Sequence, residues 1–130
     1  MPAAKRVQKL AGTDYMYTAT LKLEPEMGAR ATGEILINRH SGFQIRRVTW
    51  DHTGTKAPRV RIGWRDSRRN YMDRPALISA AFGKPGEDFD LAHPVLITGG
   101  ETITIEATNA QSEGSEIDVV FHGIELRDET

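Results

Sequence analysis

The histidines and carboxylates of this sequence are its first candidates for chemistry, because the chain contains no cysteine. A histidine metal site on a strand or helix usually has two ligands separated by one or three residues. The four histidines do not have this spacing: His40, His52, His93 and His122. Asp51 precedes His52 in a predicted loop, which is typical of a surface turn, although an acid from elsewhere is an alternative partner. The sequence therefore predicts no metal site, no cofactor and no cupin-like cluster.

Nucleophiles and carboxylate pairs show no catalytic pattern either. The five serines lie in turns or polar stretches, and none sits in the G-x-S-x-G turn that exposes a nucleophile. Glu87, Asp88 and Asp90 form an acidic loop that lacks the ligand spacing of a calcium-binding EF-hand loop. No carboxylate pair of the kind used in glycoside hydrolysis is singled out by its position. We therefore predict that the protein is not an enzyme.

Arginine is concentrated in the middle of the chain, and acid in its last third. Residues 39–74 contain ten basic and three acidic residues, whereas residues 86–130 contain one basic and eleven acidic residues. The pattern marks these middle residues as candidates for binding a partner: Arg46, Arg47, Trp50, Arg59, Arg61, Trp64, Arg65, Arg68 and Arg69. Basic and aromatic side chains together are typical of single-stranded nucleic-acid binders and also of protein–protein interfaces.

The overall charge decides between these two partners. A net charge of −1 and a large acidic third weaken attraction to phosphate, so we interpret the partner as a protein rather than a nucleic acid. Complementary patches on one subunit would also steer its association. A competing interpretation is that oppositely charged strands neighbour each other within one sheet, which would neutralise the arginines inside the subunit.

Short stretches of alternating polar and apolar residues position these side chains. Such alternation is typical of half-buried strands, and it occurs in residues 15–23, 32–38, 43–50, 59–64 and 117–126. In the fourth stretch it predicts Val60, Ile62 and Trp64 facing inward. Residues 43–50 have two mixed faces, as expected near a change of sheet or an interface. Gly123 predicts a bulge or a close backbone approach, and residues 71–82 fit either a helical turn or a short strand.

The clearest local prediction is a hairpin between residues 91–97 and 102–108. Gly99 and Gly100 lie between these stretches and can take the positive φ angles that a tight turn needs. In the second stretch Ile103, Ile105 and Ala107 share one face, and threonines and Glu106 share the other.

The length and composition favour one all-β domain. A chain of 130 residues with 38% apolar residues and about eight predicted strands fits a single-domain β-sandwich or jelly roll. We predict an N-terminal arm at residues 1–14, which carries Lys5, Arg6 and Lys9, and a β-sandwich domain at residues 15–130. No apolar run approaches the roughly 20 residues that span a bilayer, and residues 1–12 lack the apolar centre of a signal peptide. Synthesis in a cytosol is the expectation.

The order of these elements resembles a known family. The stretches RRNYMDRPALISAAFG, DLAHPVLITGGETITIEATNA and EIDVVFHGIEL, with the alternation that precedes them, look like small jelly-roll virion proteins of tailed bacteriophages. Such proteins decorate or cement the capsid. The resemblance covers about residues 15–126 and rests mostly on strand pattern and on the positions of proline and glycine.

The resemblance implies a function and two partners. It implies a non-enzymatic structural protein that is made in the host cytoplasm and binds the outside of the capsid shell at the joints between capsomers. The partners would be the major capsid protein and further copies of the chain, as a homodimer or homotrimer. Lys5, Arg6, Lys9 and the middle arginines would then pair with acidic shell residues, with Trp50 or Trp64 as an anchor.

Other functions remain as alternatives. A tail or receptor-binding module of the carbohydrate-binding jelly-roll type needs exposed aromatic side chains, for which Tyr15, Tyr17, Trp50 and Trp64 are candidates. A cupin-type enzyme is opposed by the missing histidine cluster, and single-stranded nucleic-acid binding by the charge. None of the alternatives involves a membrane.

Overall fold

The computed structural model describes residues 9–129, and the side chains of residues 12–127. Eight strands account for most of this part, together with one helix of five residues. The elements are β1 (Lys9–Leu23), β2 (Arg30–Leu36), β3 (Ser41–His52), β4 (Val60–Arg65), β5 (Ala76–Leu77), α1 (Ile78–Phe82), β6 (Phe89–Thr98), β7 (Thr102–Asn109) and β8 (Ser115–Glu129). The α1 helix of the described residues is far too short to cross a membrane.

The strands form two four-stranded antiparallel sheets. Sheet 1 has the order β1-β8-β3-β6, and sheet 2 has the order β2-β7-β4-β5. The first strand pairs with the last, the second with the seventh, the third with the sixth and the fourth with the fifth. This nested pairing is that of one long folded-over ribbon wrapped into a jelly roll. The predicted all-β jelly-roll class is therefore confirmed.

The core fills the space between the two sheets. Each strand contributes alternate side chains to it, because successive side chains of a strand point to opposite faces. Val60, Ile62 and Trp64 are buried as predicted, and so are Ile103 and Ile105 on the neighbouring strand β7. Burial of each large aliphatic side chain contributes on the order of 1.5–3 kcal/mol, and this is the main favourable term of the fold.

The predicted hairpin between residues 91–97 and 102–108 is wrong. β6 pairs with β3 in sheet 1, whereas β7 pairs with β2 and β4 in sheet 2, so the glycine turn carries the chain from one sheet to the other. The Gly100 amide donates to the Ile37 carbonyl (2.9 Å), and the Ile37 amide donates to the Glu101 carbonyl (3.0 Å). Gly99 packs onto the carbonyl groups of the neighbouring β2–β3 connection, where a Cβ would clash. The two glycines thus serve a crossing between sheets, which has the same local signature as a hairpin.

A β-bulge explains the mixed faces of residues 43–50. Ile45 lies opposite Gly123 and Arg47 lies opposite His122, so Arg46 is an extra residue on β3. The bulge returns Val48 to the core side after Ile45. The close backbone approach predicted at Gly123 is confirmed, because its Cα lies directly against the β3 main chain.

The first strand begins earlier than the sequence predicts. β1 starts at Lys9, and residues 9–14 pair with residues 124–129 of β8. The last six residues of the predicted arm are therefore strand, and residues 1–8, with Lys5 and Arg6, lie outside the described residues. Residues 71–82, which fit a strand or a helical turn, form both, as β5 and α1.

Candidate binding surfaces

Both tryptophans belong to the core. Trp50 is 2% exposed, and its Nε1 donates to the Gly83 carbonyl (2.9 Å) in the loop after α1. Trp64 is 7% exposed and stacks on Tyr71 with ring centroids 4.2 Å apart, while Phe121 packs against it at 5.2 Å. The prediction that either indole anchors a partner is therefore corrected, since these rings already fill the space between the sheets.

The loop after β4 is built around a buried carboxylate. Asp66 accepts hydrogen bonds from the amides of Arg68 (2.7 Å) and Arg69 (2.9 Å) and from the Tyr71 hydroxyl. The Arg69 guanidinium lies over the Tyr71 ring, 4.9 Å from its centroid. Burial raises the pKa of Asp66, but the bonds from Tyr71 and the two amides, with the charge of Arg69, outweigh it and lower that pKa. The carboxylate holds the loop closed, so it is part of the structure rather than a free reactive group.

Burial also affects the hydroxyl at the centre of this loop. It raises the pKa of Tyr71, and the hydrogen bond to Asp66 raises it further because the phenol must keep its proton to donate. Arg69 opposes this effect only in part, and the pKa of Arg69 is itself raised by its interaction with Tyr71. The loop therefore presents a cation on its surface over a neutral phenol.

Three of the candidate arginines are neutralised within the subunit. Arg47 on β3 binds Asp90 (2.9 Å) and Asp88 (3.3 Å), and these acids raise its pKa. Two further ion pairs join the basic middle to the acidic third: Arg65 with Glu106 (2.6 Å) and Arg68 with Glu101 (2.6 Å). The pairs form because β3 neighbours β6, and β4 neighbours β7. For these three side chains, the structure confirms the competing interpretation that acids on neighbouring strands neutralise the arginines inside the subunit.

The remaining arginines are divided between two faces and one loop. Arg46 is exposed on the bulge of sheet 1, where Nε and Nη2 donate to Gln44 Oε1 (3.1 and 2.9 Å). Arg59 and Arg61 are exposed at the start of β4 in sheet 2. Arg69 lies in the loop after β4, and Lys9 lies in β1. The candidate residues therefore do not form one continuous basic surface.

A smaller basic surface is present on the outer face of sheet 2. Thr108 of β7 lies between Arg30 of β2 and Arg61 of β4, so the two arginines flank it at neighbouring-strand distances. Arg59 lies two positions before Arg61, and an extended chain places it on the same side. We call these three residues the sheet 2 arginine patch. None of them forms an ion pair within the described residues, and Glu106 beside the patch is already bound by Arg65.

The sequence alone could not find this patch. Arg30 lies outside the arginine-rich middle, and only the pairing of β2 with β7 brings it near Arg61. The alternation of β2 does place Arg30 on the polar face of its strand, which is the one signal that the sequence offers.

A cleft of about 400 Å³ opens on sheet 1 beside the bulge. Its lining consists of Asp14, Tyr15, Met16, Arg46, Arg47, His122, Gly123 and Ile124. The His122 Nε2 atom lies 2.8 Å from the Thr49 hydroxyl, and Arg47 is bound by the acids of β6. Arg47 and His122 of this lining thus have partners on the sheet itself.

The histidines and acids of the described residues form no metal-binding group of three or more. His52, predicted in a surface loop, is instead the last residue of β3 and is half-buried, 6.0 Å from the Trp50 ring. Its Nδ1 atom and the Ser115 hydroxyl are buried without a hydrogen-bond partner among the residues that the structure describes. The two atoms are on neighbouring ends of β3 and β8, at the edge of the core.

The aromatic side chains named for sugar binding are mostly buried. Tyr17, Trp50 and Trp64 lie in the core, and burial raises the pKa of the Tyr17 hydroxyl. Tyr15 is 40% exposed and packs on Tyr17 with ring centroids 4.8 Å apart. One half-exposed ring is less than the flat aromatic platform that the carbohydrate-binding alternative requires.

No protein-family model matches the chain, and a search of curated proteins finds no similar sequence.

Proposed function

We propose that this protein is a non-enzymatic structural protein of a bacteriophage particle. In this proposal it binds the outside of the capsid shell, and decorates or cements the joints between capsomers. Its partners are the major capsid protein and further copies of itself. The family resemblance of the sequence suggests this function, and the jelly-roll pairing of the eight strands agrees with it.

The observation that carries the proposal is the sheet 2 arginine patch. Arg30, Arg59 and Arg61 are exposed on the outer face of sheet 2 and have no acidic partner within the described part of the subunit. Arginine binds carboxylates through two parallel hydrogen bonds, which favours an acidic protein surface as the ligand. Contacts of this kind are modest singly, but repetition over a lattice makes the attachment of many copies durable.

The same geometry narrows the set of shell-binding residues. Arg47, Arg65 and Arg68 hold neighbouring strands and turns together through acids of the same chain. A shell carboxylate would have to displace those acids, so these arginines contribute less to attachment. The guanidinium group of Arg46 contacts the neutral side chain of Gln44, and that of Arg69 contacts the ring of Tyr71. Both arginines remain secondary candidates for binding the shell.

The first experiment is to count copies in purified particles of the parent virus by quantitative mass spectrometry. Hundreds of copies in a simple ratio to the shell protein are expected. A handful of copies would indicate a location in the tail and would favour glycan binding there. Complete absence from particles would refute the proposal.

The second experiment tests the patch on shells that lack this protein. The double variant Arg59→Ser/Arg61→Ser is expected to lose most binding in co-sedimentation, and binding by the unchanged protein is expected to weaken with added salt. The matched control is Arg65→Ser/Arg68→Ser, which also removes two positive charges but takes them from internal ion pairs. Equal loss of binding in both variants would show that the patch is not the contact.

A further inference from the structure

The four sheet edges of this fold are protected unequally. β6 carries Pro94 and a break in its register with β3, β5 has two residues, and β2 has seven. Proline, short length and irregular register are the usual means by which proteins prevent unwanted strand pairing. β1 has none of them: it has fifteen residues, contains no proline, and pairs with β8 in one unbroken register.

β2 belongs to the other sheet, so it packs against the inner face of β1 and does not pair with its free edge. The turn after Leu23 leads back into β2, and Gly33 lies against Ala19 and Leu21. Because β2 has seven residues, it can pack beneath only about the last half of β1. Within the described residues, the backbone of residues 9–16 has a strand on one side only.

The first half of β1 also exposes apolar surface. Met16 is 60% exposed and Tyr15 is 40% exposed, and both belong to the few large apolar side chains of the described part that remain accessible. Ile124 and Gly123 of β8 continue the same surface as lining of the neighbouring cleft. An unpaired backbone edge next to exposed apolar side chains is the pattern of a strand that accepts another strand.

We propose that residues 9–16 pair antiparallel with the same residues of a second copy. The pairing joins sheet 1 of the two subunits into one continuous eight-stranded sheet around a two-fold axis. In an antiparallel pair, directly opposed side chains point to the same face of the sheet, whereas consecutive residues of one strand point to opposite faces. The two-fold axis must therefore lie between the two copies of one and the same residue.

The sequence of the strand selects the register. With Thr13 on the axis, residue 10 faces Met16 and residue 11 faces Tyr15, so apolar residues oppose apolar ones, and Asp14 faces Gly12. With Asp14 on the axis, two carboxylates would face each other, which is unfavourable. With Gly12 on the axis, Asp14 would face the apolar residue 10. This self-complementarity is the reason why the occupant is a second copy rather than an unrelated strand, and the inference does not depend on the proposed function.

The first test is the mass of the purified full chain by sedimentation and light scattering. Twice the mass of the chain is expected for the unchanged protein. Thr13→Lys places two ammonium groups at the axis, and is expected to halve the measured mass while leaving the thermal unfolding midpoint nearly unchanged. Thr32→Lys is the matched control, since it is the same change at an exposed position of β2, and it is expected to remain a dimer.

The second test uses the absence of cysteine from the chain. Thr13→Cys is expected to form a disulfide-linked dimer readily under mild oxidation, because a pair at the axis has the Cα separation that a disulfide needs. Met16→Cys is expected to cross-link poorly, because each Met16 faces residue 10 of the partner.

A monomeric unchanged protein would overturn the proposal, even if β1 then captured a strand of another protein. A dimer in which Thr13→Lys has no effect would place the interface elsewhere and would equally refute it. Preferential cross-linking of Met16→Cys would refute the register.

Discussion

Gly123 of β8 and Gln44 of β3 are in main-chain contact beside the bulge. A Cβ atom on residue 123 would overlap the Gln44 carbonyl oxygen and lie 2.8 Å from the carbonyl carbon. Neither atom can move aside as a side chain would, because both belong to the paired backbone of sheet 1. The bulge at Arg46 and the glycine opposite Ile45 are thus one structural unit.

Replacement of this glycine is the first prediction. We expect Gly123→Ala to lower the free energy of unfolding by about 3 kcal/mol or more, because relief of the clash requires separation of β3 from β8. Chemical denaturation measures the change. Gly63→Ala is the matched control: a Cβ there meets Pro75 at 3.5 Å, an ordinary contact, and the effect should remain within about 1 kcal/mol. Equal effects at both positions would contradict the close approach.

The second prediction distinguishes the two tryptophans. Trp50→Phe removes the donor to the Gly83 carbonyl as well as ring volume, and we expect a loss of about 2–4 kcal/mol in unfolding free energy. Trp64→Phe removes ring volume from a stack with Tyr71 and is expected to cost less. The fluorescence of each single-tryptophan variant should be blue-shifted and resistant to iodide quenching. Strong quenching of either indole would contradict its place in the core.

The third prediction concerns pH. The pKa of Asp66 is lowered in the folded protein, so its carboxylate stabilises the fold above the unfolded pKa of about 3.9, and this contribution disappears as the pH falls through the folded value. We expect Asp66→Asn to reduce the unfolding free energy at neutral pH by about 1–2 kcal/mol, and the difference from the unchanged protein to shrink below about pH 4.

Asp73→Asn is the control for this prediction. Asp73 is largely exposed and lies 3.5 Å from Arg74, so its replacement should change the unfolding free energy at neutral pH by about 0.5 kcal/mol or less. A pH-independent difference between Asp66→Asn and the unchanged protein would show that the carboxylate charge does not hold the loop.

The fourth prediction tests the buried carboxylate of Glu125 in β8. Glu125 is 3% exposed, and it accepts hydrogen bonds from Asn38 Nδ2 (2.8 Å) and Arg127 Nε (2.8 Å). Arg127→Ala leaves this carboxylate without its cation, and we expect thermal and chemical unfolding to show a loss of about 1.5–3 kcal/mol. Arg74→Ala removes an arginine from an exposed pair and is expected to change stability by about 0.5 kcal/mol or less. If Arg127→Ala changed stability as little as Arg74→Ala, the ion pair between Arg127 and Glu125 would not stabilise the fold.

The alternation of side chains predicts most of the strands and their buried faces. Residues of β4 and β7 show this most clearly, since Val60, Ile62, Ile103 and Ile105 are buried as expected from a period of two. This works because each strand satisfies the same local condition, with one face in the core and one in water.

The pairing of strands could not be predicted in the same way. Gly99 and Gly100 indicate a sharp change of direction, but the choice between a hairpin and a crossing depends on contacts with Ile37 and its neighbours, which lie about sixty positions earlier. For the same reason the sequence identified an arginine-rich segment, but it could not show which of its arginines form ion pairs within the subunit. Whether an arginine is free depends on whether β6, β7 or the turn between them places an acid beside it.

The pairing of β1 with β8 has a consequence for synthesis on the ribosome. Tyr17 and Phe121 are neighbours in sheet 1 although about one hundred positions separate them in the chain. β1 therefore emerges first and has no sheet 1 neighbour until β8 follows, so both of its backbone edges stay bare while the rest of the chain is made. Folding that depends on such distant contacts is slow, and it gives neighbouring nascent chains time to exchange first strands.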